Sequence, residues 1–426
     1  MAKKTTARKL LERREKTPDF LLYAILRLVM RIMNAGLHTK FTFKAYPGKD
    51  KGPFVLVSNH ASRNDFLFTA PACYPRRLNY VVGYNEFYRF PAGILLRIAQ
   101  VIPKKNFVPD VHAIRSVARV IDRGGCICIM PEGMSSITGM AQPVMPGIGK
   151  LLKSLKVNVY YTKISGGYLT YTKHCLDARK GRCEVVVDKM FSPEDLAAMS
   201  EAEIEDTMNR LLAHDDYIWN SGAQQRFGKG EQMTKKLDTL LYMCPKCGSM
   251  YRMSCNGNIM HCTECGNTME MDACGRIKAV GADSQCPEHV TDWTILERER
   301  AAADVRTPGF SYSGHVRIGL LPERGWLFGD NTSIICGDGT LTLDTSGLSY
   351  EGTLKDEPFN FHIPTENLPT FGMCTDISRF YTFLDGRFIE FYPDAADVLR
   401  WDHLTEEMHR FRGGRWQNTP YRHANP

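Results

Sequence analysis

The chain has 426 residues, 43% hydrophobic and 24% charged, with a formal net charge of +7. That is the length of about three domains with real cores. The balance is that of ordinary globular material, which excludes a largely disordered chain. Seven bases and two acids fall within residues 1–16, so +5 of the excess sits in one short tail. No strip of interleaved bases and aromatics favours a nucleic-acid surface.

After the tail, residues 20–33 are apolar except for Arg27 and Arg31. Tyr23, Arg27, Arg31 and Asn34 recur at helical spacing as one narrow polar stripe beside a broad apolar side. The run is too short to cross a bilayer, which takes about 20 residues. It also lacks the unbroken core and small-residue cleavage site of a signal peptide. It reads as a helix lying in a membrane surface, the alternative being an amphipathic helix docked on the protein's own core, and residues 1–38 form a basic tail with that helix. Thr39 to Tyr46 and Phe54 to Ser58 read as strands, the second a buried β-branched run behind the Gly52-Pro53 breaker. His60 then falls where the chain leaves the sheet, and Ala61 to Thr69 can continue as a helix. On one helix His60 and Asp65 would stand roughly 140° apart at about 100° per residue. They meet only with His60 in the turn and Asp65 on the helix. The carboxylate then accepts from one ring nitrogen and the other faces a cleft as a base.

Asn79 to Gly83 is a strand and Phe87 to Ala99 has helical periodicity. Lys104 and Lys105 follow in a loop. His112 to Arg123 is an amphipathic helix ending at Gly124-Gly125. Cys126 to Met130 is a second apolar strand, and it runs into Pro131-Glu132-Gly133. Two strands ending in polar loops at one edge of a sheet is how open α/β folds build a site.

Asn59-His60, then Asp65, then Pro131-Glu132-Gly133 in that order resembles the 1-acylglycerol-3-phosphate acyltransferase family of glycerolipid acyltransferases, over roughly residues 40–220. The resemblance implies transfer of a fatty acyl group from acyl-CoA or acyl carrier protein to a lysophospholipid hydroxyl, with His60 as general base and Asp65 as its orienter. It implies a substrate site drawn from Lys104, Lys105, Glu132, Gly133 and Ser135. The family carries an arginine where Lys104 and Lys105 stand, and Thr and Arg where Met134 and Ser135 stand. The lysines would neutralise a phosphate without arginine's bidentate fork. Glu132 can alternatively bond the His60 loop and nothing else.

Gly147 to Leu155 reads as a helix, and Val157 to Ile164 and Arg182 to Asp188 as strands. Ser192 and Ser200 open helices as N-caps with acids behind them, and Glu201 to His214 closes a domain spanning 39–220. Residues 221–236 are polar and Gly-rich, a linker. Cys244-Pro245-Lys246-Cys247-Gly248 and Cys262-Thr263-Glu264-Cys265-Gly266 are two knuckles that place four thiolates for a structural Zn2+ in a ribbon over 237–290. Four ligands leave no open position for catalysis. Cys255, Cys274 and Cys286 are not spaced as ligands, and fourteen cysteines with a metal signature suit a reducing compartment. From 291 to 426 short alternating segments appear, with a hairpin over Tyr381 to Tyr392 turning at Asp385-Gly386 and a helix over Asp394 to Phe411. That architecture resembles a pleckstrin-homology-like barrel, which would bind lipid, a protein partner or the first domain.

The expected fold class is therefore a three-layer α/β acyltransferase domain with a mixed sheet, then a zinc ribbon and a small β-rich domain. The expected protein is a peripheral enzyme of the cytoplasmic membrane face whose partners are membrane lipids and an acyl donor. A thioesterase on the same base and a non-catalytic membrane adaptor are the other readings, though an adaptor has no use for the His60–Asp65 pair.

Overall fold

The computed structural model describes residues 4–422. Two helices come first, α1 (Thr6–Glu12) and α2 (Phe20–Gly36). The first domain then alternates β1 (Lys40–Phe43), β2 (Phe54–Ser58), α3 (Phe66–Ala72), β3 (Leu78–Gly83), α4 (Ala92–Ile98), β4 (Ile102–Lys104), α5 (Val111–Asp122) and β5 (Cys126–Ile129). It continues with α6 (Ile148–Leu155), β6 (Asn158–Ser165), α7 (Gly167–Thr170), β7 (Glu184–Phe191), α8 (Pro193–Ala198), α9 (Glu201–Leu212) and α10 (Asp216–Ala223).

Seven strands form one sheet in the order β1-β7-β6-β2-β5-β3-β4. Every neighbouring pair is parallel except β6 and β7. All five residues of β2 are buried, because strands flank it and helices cover both faces. Alternation along the strand divides it between the layers. Val55 and Val57 pack with Val117 of α5, Leu152 of α6 and Met208 of α9. Phe54 and Leu56 face the other way with Cys73, just past α3. Val57 lies beside Ile129, so β2 and β5 release their chains side by side at one edge.

Two elements differ from the sequence reading for visible reasons. The helix after His60 begins only at Phe66, because the Asp65 carboxylate turns back to accept from the Ser62 N–H and hold a turn. The segment from Phe87 to Ala99 breaks into a short 3-10 turn (Tyr84–Tyr88) and α4, since Pro91 has no N–H and pushes Phe90 out of helical geometry. The orientation of α2 is a further finding. Tyr23 and Asn34 of its polar stripe are buried with Met30, and Arg27 lies over the Tyr74 ring. The broad apolar side faces out: Leu21 is 67%, Leu28 61% and Ile32 65% exposed. Among the described residues no helix is long and apolar enough to cross a membrane.

The stretch 221–236 is fastened down. Phe227 and Met233 are buried, and Thr234 bonds the backbone of Gly257. Four antiparallel strands follow, β8 (Met253–Asn256), β9 (Ile259–Cys262), β10 (Thr268–Met271) and β11 (Ile277–Ala279). Helix α11 (Val290–Val305) leads to β12 (Ser311–Leu320), β13 (Ile334–Asp344), β14 (Gly347–Leu354), β15 (Glu357–Pro364), β16 (Gly372–Met373), β17 (Phe380–Leu384), β18 (Arg387–Pro393) and α12 (Val398–Phe411). These seven strands form an antiparallel sheet in the order β15-β14-β13-β12-β18-β17-β16. The hairpin turns at Asp385 and Gly386, both with positive φ. One core joins the small sheet to the large one: Met260, Cys262 and Met269 belong to the same cluster as Trp293, Phe380 and Trp401.

Candidate active site

His60 and Asp65 meet as the turn requires. His60 Nδ1 and Asp65 Oδ2 are 2.8 Å apart. The other carboxylate oxygen accepts from the Ser62 N–H and hydroxyl, each at 2.9 Å. Asp65 is 1% exposed, whereas the His60 side chain keeps 23% of its surface. A buried carboxylate fixed on one side by Ser62 can only hold the ring by its Nδ1–H. In the neutral ring Nε2 is then the acceptor nitrogen. Asn59 anchors the same turn to β6: its amide exchanges two bonds with the Ile164 backbone, at 2.8 and 2.9 Å.

The β5 loop closes on this turn. Glu132 accepts from the His60 N–H at 2.7 Å with one oxygen and from the Gln142 N–H at 2.9 Å with the other. The Ser136 N–H donates to the His60 carbonyl at 2.7 Å. Burial pushes the Glu132 carboxyl up to about 7 against the pull of its two N–H donors. Glu132 therefore braces the His60 backbone, and both its oxygens are spent. Gly133 has φ +86°, and an added Cβ would stand 3.0 Å from Phe107. Only glycine lets the loop pass there. Met134 turns into the core beside Ile137 and Tyr168.

Lys104 ends β4, partly buried, with its ammonium pushed down by burial against Asp110. The Lys105 ammonium donates to the Gly386 carbonyl at 2.7 Å and lies over Tyr84 and Phe383. That contact docks the β17–β18 hairpin on the 104–107 loop, where Asn106 also bonds the Tyr381 hydroxyl.

Sequence reasoning missed Arg63 and Lys173. The Arg63 guanidinium donates to the carbonyls of Thr172 at 3.2 Å and Leu176 at 2.7 Å, strapping the β6–β7 connection to the His60 turn. Lys173, on that connection, reaches the Ser135 hydroxyl at 3.2 Å. Nothing in the local sequence announces this, because the contact spans 38 positions.

A second constellation lies in the small sheet. The sulfurs of Cys244, Cys247, Cys262 and Cys265 lie within 4.8 Å of one another. Two of the separations are 3.8 and 3.9 Å. A tetrahedron with Zn–S bonds of about 2.3 Å has edges of about 3.8 Å, so the four thiolates fit such an ion. Gly248 and Gly266 take φ of +73° and +72°, the turn each knuckle needs.

Residues 38–164 match the family model described as Acyltransferase. The match takes in β1 through most of β6, with His60, Asp65 and Glu132 inside it. No curated protein matches. Among solved structures the chain is similar to the 1-acyl-sn-glycerophosphate (LPA) acyltransferase PlsC from Thermotoga maritima, at 15% identity and a TM-score of 0.38, over 44% of this chain and 77% of that one.

Proposed function

We propose that the chain transfers a fatty acyl group from a thioester, acyl-CoA or acyl carrier protein, to the hydroxyl of a lysophospholipid, with His60 as general base. The observation that carries this reading is the His60–Asp65 contact: a buried Asp65, anchored by Ser62, lies 2.8 Å from Nδ1 of a ring that keeps 23% of its surface, which supports Nε2 as the base. Nε2 takes the proton of the acceptor hydroxyl as its oxygen attacks the thioester carbonyl carbon. The C–S bond then breaks, and the imidazolium returns the proton to the leaving thiolate. Asp65 favours the imidazolium between those steps. Such a base supplies roughly 10²–10⁴-fold, so alignment of donor and acceptor supplies the rest.

The exposed apolar side of α2 supports a peripheral seat on the membrane holding the acceptor, with the exposed Arg31 and the basic tail suited to anionic headgroups. The four thiolates are read as the ligands of a structural Zn2+ in a ribbon. Seven antiparallel strands closed by one C-terminal helix support the pleckstrin-homology-like reading of the last domain. Mass spectrometry of the lipids formed by purified protein from mixed lysolipids and acyl donors tests the function. A new diacyl lipid is expected. Free fatty acid alone, with or without acceptor, would replace transfer by hydrolysis.

A further inference from the structure

At its C-terminal end α2 borders an open cavity of about 540 Å³ between itself, the start of β1 and Pro71 of α3. Arg31, Asn34, Ala35, His38 and Thr39 line it, and no residue of the His60–Asp65 pair or the Glu132 loop does. Arg31, Asn34 and Ala35 stand at i, i+3 and i+4, so they share one side of the helix. Arg31 is exposed, and its guanidinium has no hydrogen-bond or ion-pair partner among the described residues. Asn34 is 7% exposed. Its amide NH2 donates to the carbonyls of Met30 at 2.9 Å and Leu67 at 2.7 Å, which fixes the oxygen as the free end. That oxygen and the Thr39 hydroxyl are both buried without a partner among the described residues. Buried polar atoms are normally paired, so two orphans in the residues of one wall point to a donor supplied by a ligand. The C-terminal end of α2 adds partial negative charge beside them.

A ligand that fits this wall carries an anion for Arg31 and, a few atoms away, a positively charged donor for Asn34 and the helix end. It carries apolar chain as well. Leu28 and Ile32 each stand three positions before Arg31 and Ala35, and they are 61% and 65% exposed. The side of α2 that borders the cavity therefore continues into its exposed apolar side.

We propose that the cavity seats the head of one bilayer phospholipid of the ethanolamine type. Its phosphodiester meets Arg31, its ammonium turns toward Asn34, and its acyl chains lie along Leu28 and Ile32. This lipid is held for attachment and is not the acceptor of the His60 site. The inference rests on α2 as the membrane foothold, and adds to a general surface attraction a site for a single lipid.

The test is calorimetry of the full chain with dihexanoylphosphatidylethanolamine below its micelle concentration. Wild-type protein should bind one molecule per chain, saturably. The phosphocholine analogue has no N–H donor and should bind several-fold more weakly. Glycerophosphoethanolamine, which lacks the chains, should bind roughly tenfold more weakly or worse. Arg31→Gln removes a charge-assisted contact and should weaken the lipid roughly 10- to 100-fold, and Arg31→Lys, a charge without the fork, should recover part of that. Ala35→Phe keeps every charge but fills the cavity, and should abolish binding. Both positions are exposed, so the melting temperature should stay where it is. His60→Ala should bind the lipid as wild type does. Loss of binding in His60→Ala would place the lipid in the catalytic cleft and overturn the proposal. So would the absence of saturable binding by wild-type protein, or unchanged affinity in Arg31→Gln and Ala35→Phe. Vesicle sedimentation tells this failure from failure of the foothold: wild-type protein that sediments with vesicles yet binds no single lipid would leave α2 on the membrane without the site.

Discussion

Asp65→Asn is the sharpest test of the base. The side chain keeps its shape but loses one acceptor. Ser62 presents a fixed backbone N–H at 2.9 Å, so the amide oxygen must stay on that side. The amide NH2 then faces His60 Nδ1 across 2.8 Å. Two donors cannot share that contact. The ring moves its proton to Nε2, and the nitrogen that faced the acceptor is no longer a base. The imidazolium also loses its counter-charge. With Asp65 only 1% exposed, an effective dielectric of about 20 makes a pair of charges about 4 Å apart worth about 4 kcal/mol. At about 1.4 kcal/mol per decade, kcat should fall roughly a thousandfold with little change in KM. Thiol release from the acyl donor measures the rate, and 15N shifts of the His60 ring report the tautomer. A variant within threefold of wild-type kcat, or with Nδ1 still protonated, would refute the reasoning.

Glu132 gives a pH prediction. Its folded pKa, raised from 4.5 to about 7, means the folded chain holds a proton there that the unfolded chain has lost. Its contribution to stability therefore falls as pH rises from about 4.5 to about 7 and is level above that, by about 3 kcal/mol in all. Melting curves of Glu132→Leu should lack this component; an unchanged difference from wild type across pH 5–8 would contradict it. For the thiolate cluster, plasma emission spectrometry should find one zinc per chain, and Cys262→Ser should lose it. Because Cys262 lies in the core that includes Trp293 and Trp401, that loss should lower the melting temperature of the whole C-terminal half. Leu28→Asp with Ile32→Asp removes two exposed apolar side chains from α2. Burying each is worth about 1.5–3 kcal/mol, so sedimentation with anionic vesicles should weaken by two orders of magnitude or more at an unchanged melting temperature. Undiminished vesicle binding would remove α2 as the foothold.

Local patterns account for much of what the sequence revealed. His60 and Asp65 are five positions apart, so turn geometry alone decides their meeting. The Glu132 loop follows an apolar strand like the one before His60, and parallel pairing of β2 and β5 brings the two ends together. The knuckles carry their own spacing, and Asp385-Gly386 carries its own turn. What could not be read depends on long-range folding. Lys173 meets Ser135 only because the β6–β7 connection folds back under the Arg63 strap. The orientation of α2 was likewise hidden. A stripe with two arginines reads as the wet side, yet Tyr23 and Asn34 find partners inside, in the Leu78 N–H and the Leu67 carbonyl. The polar look of 221–236 concealed Phe227 and Met233 as anchors.

His60→Ala, assayed by mass spectrometry of the lipid product beside wild type, bears most directly on the whole account. Wild-type protein should convert lysolipid and acyl thioester to a diacyl lipid, and the variant should form none while keeping its melting temperature and bound zinc. Product formed by the folded variant at a rate near wild type would show that the imidazole is not the base.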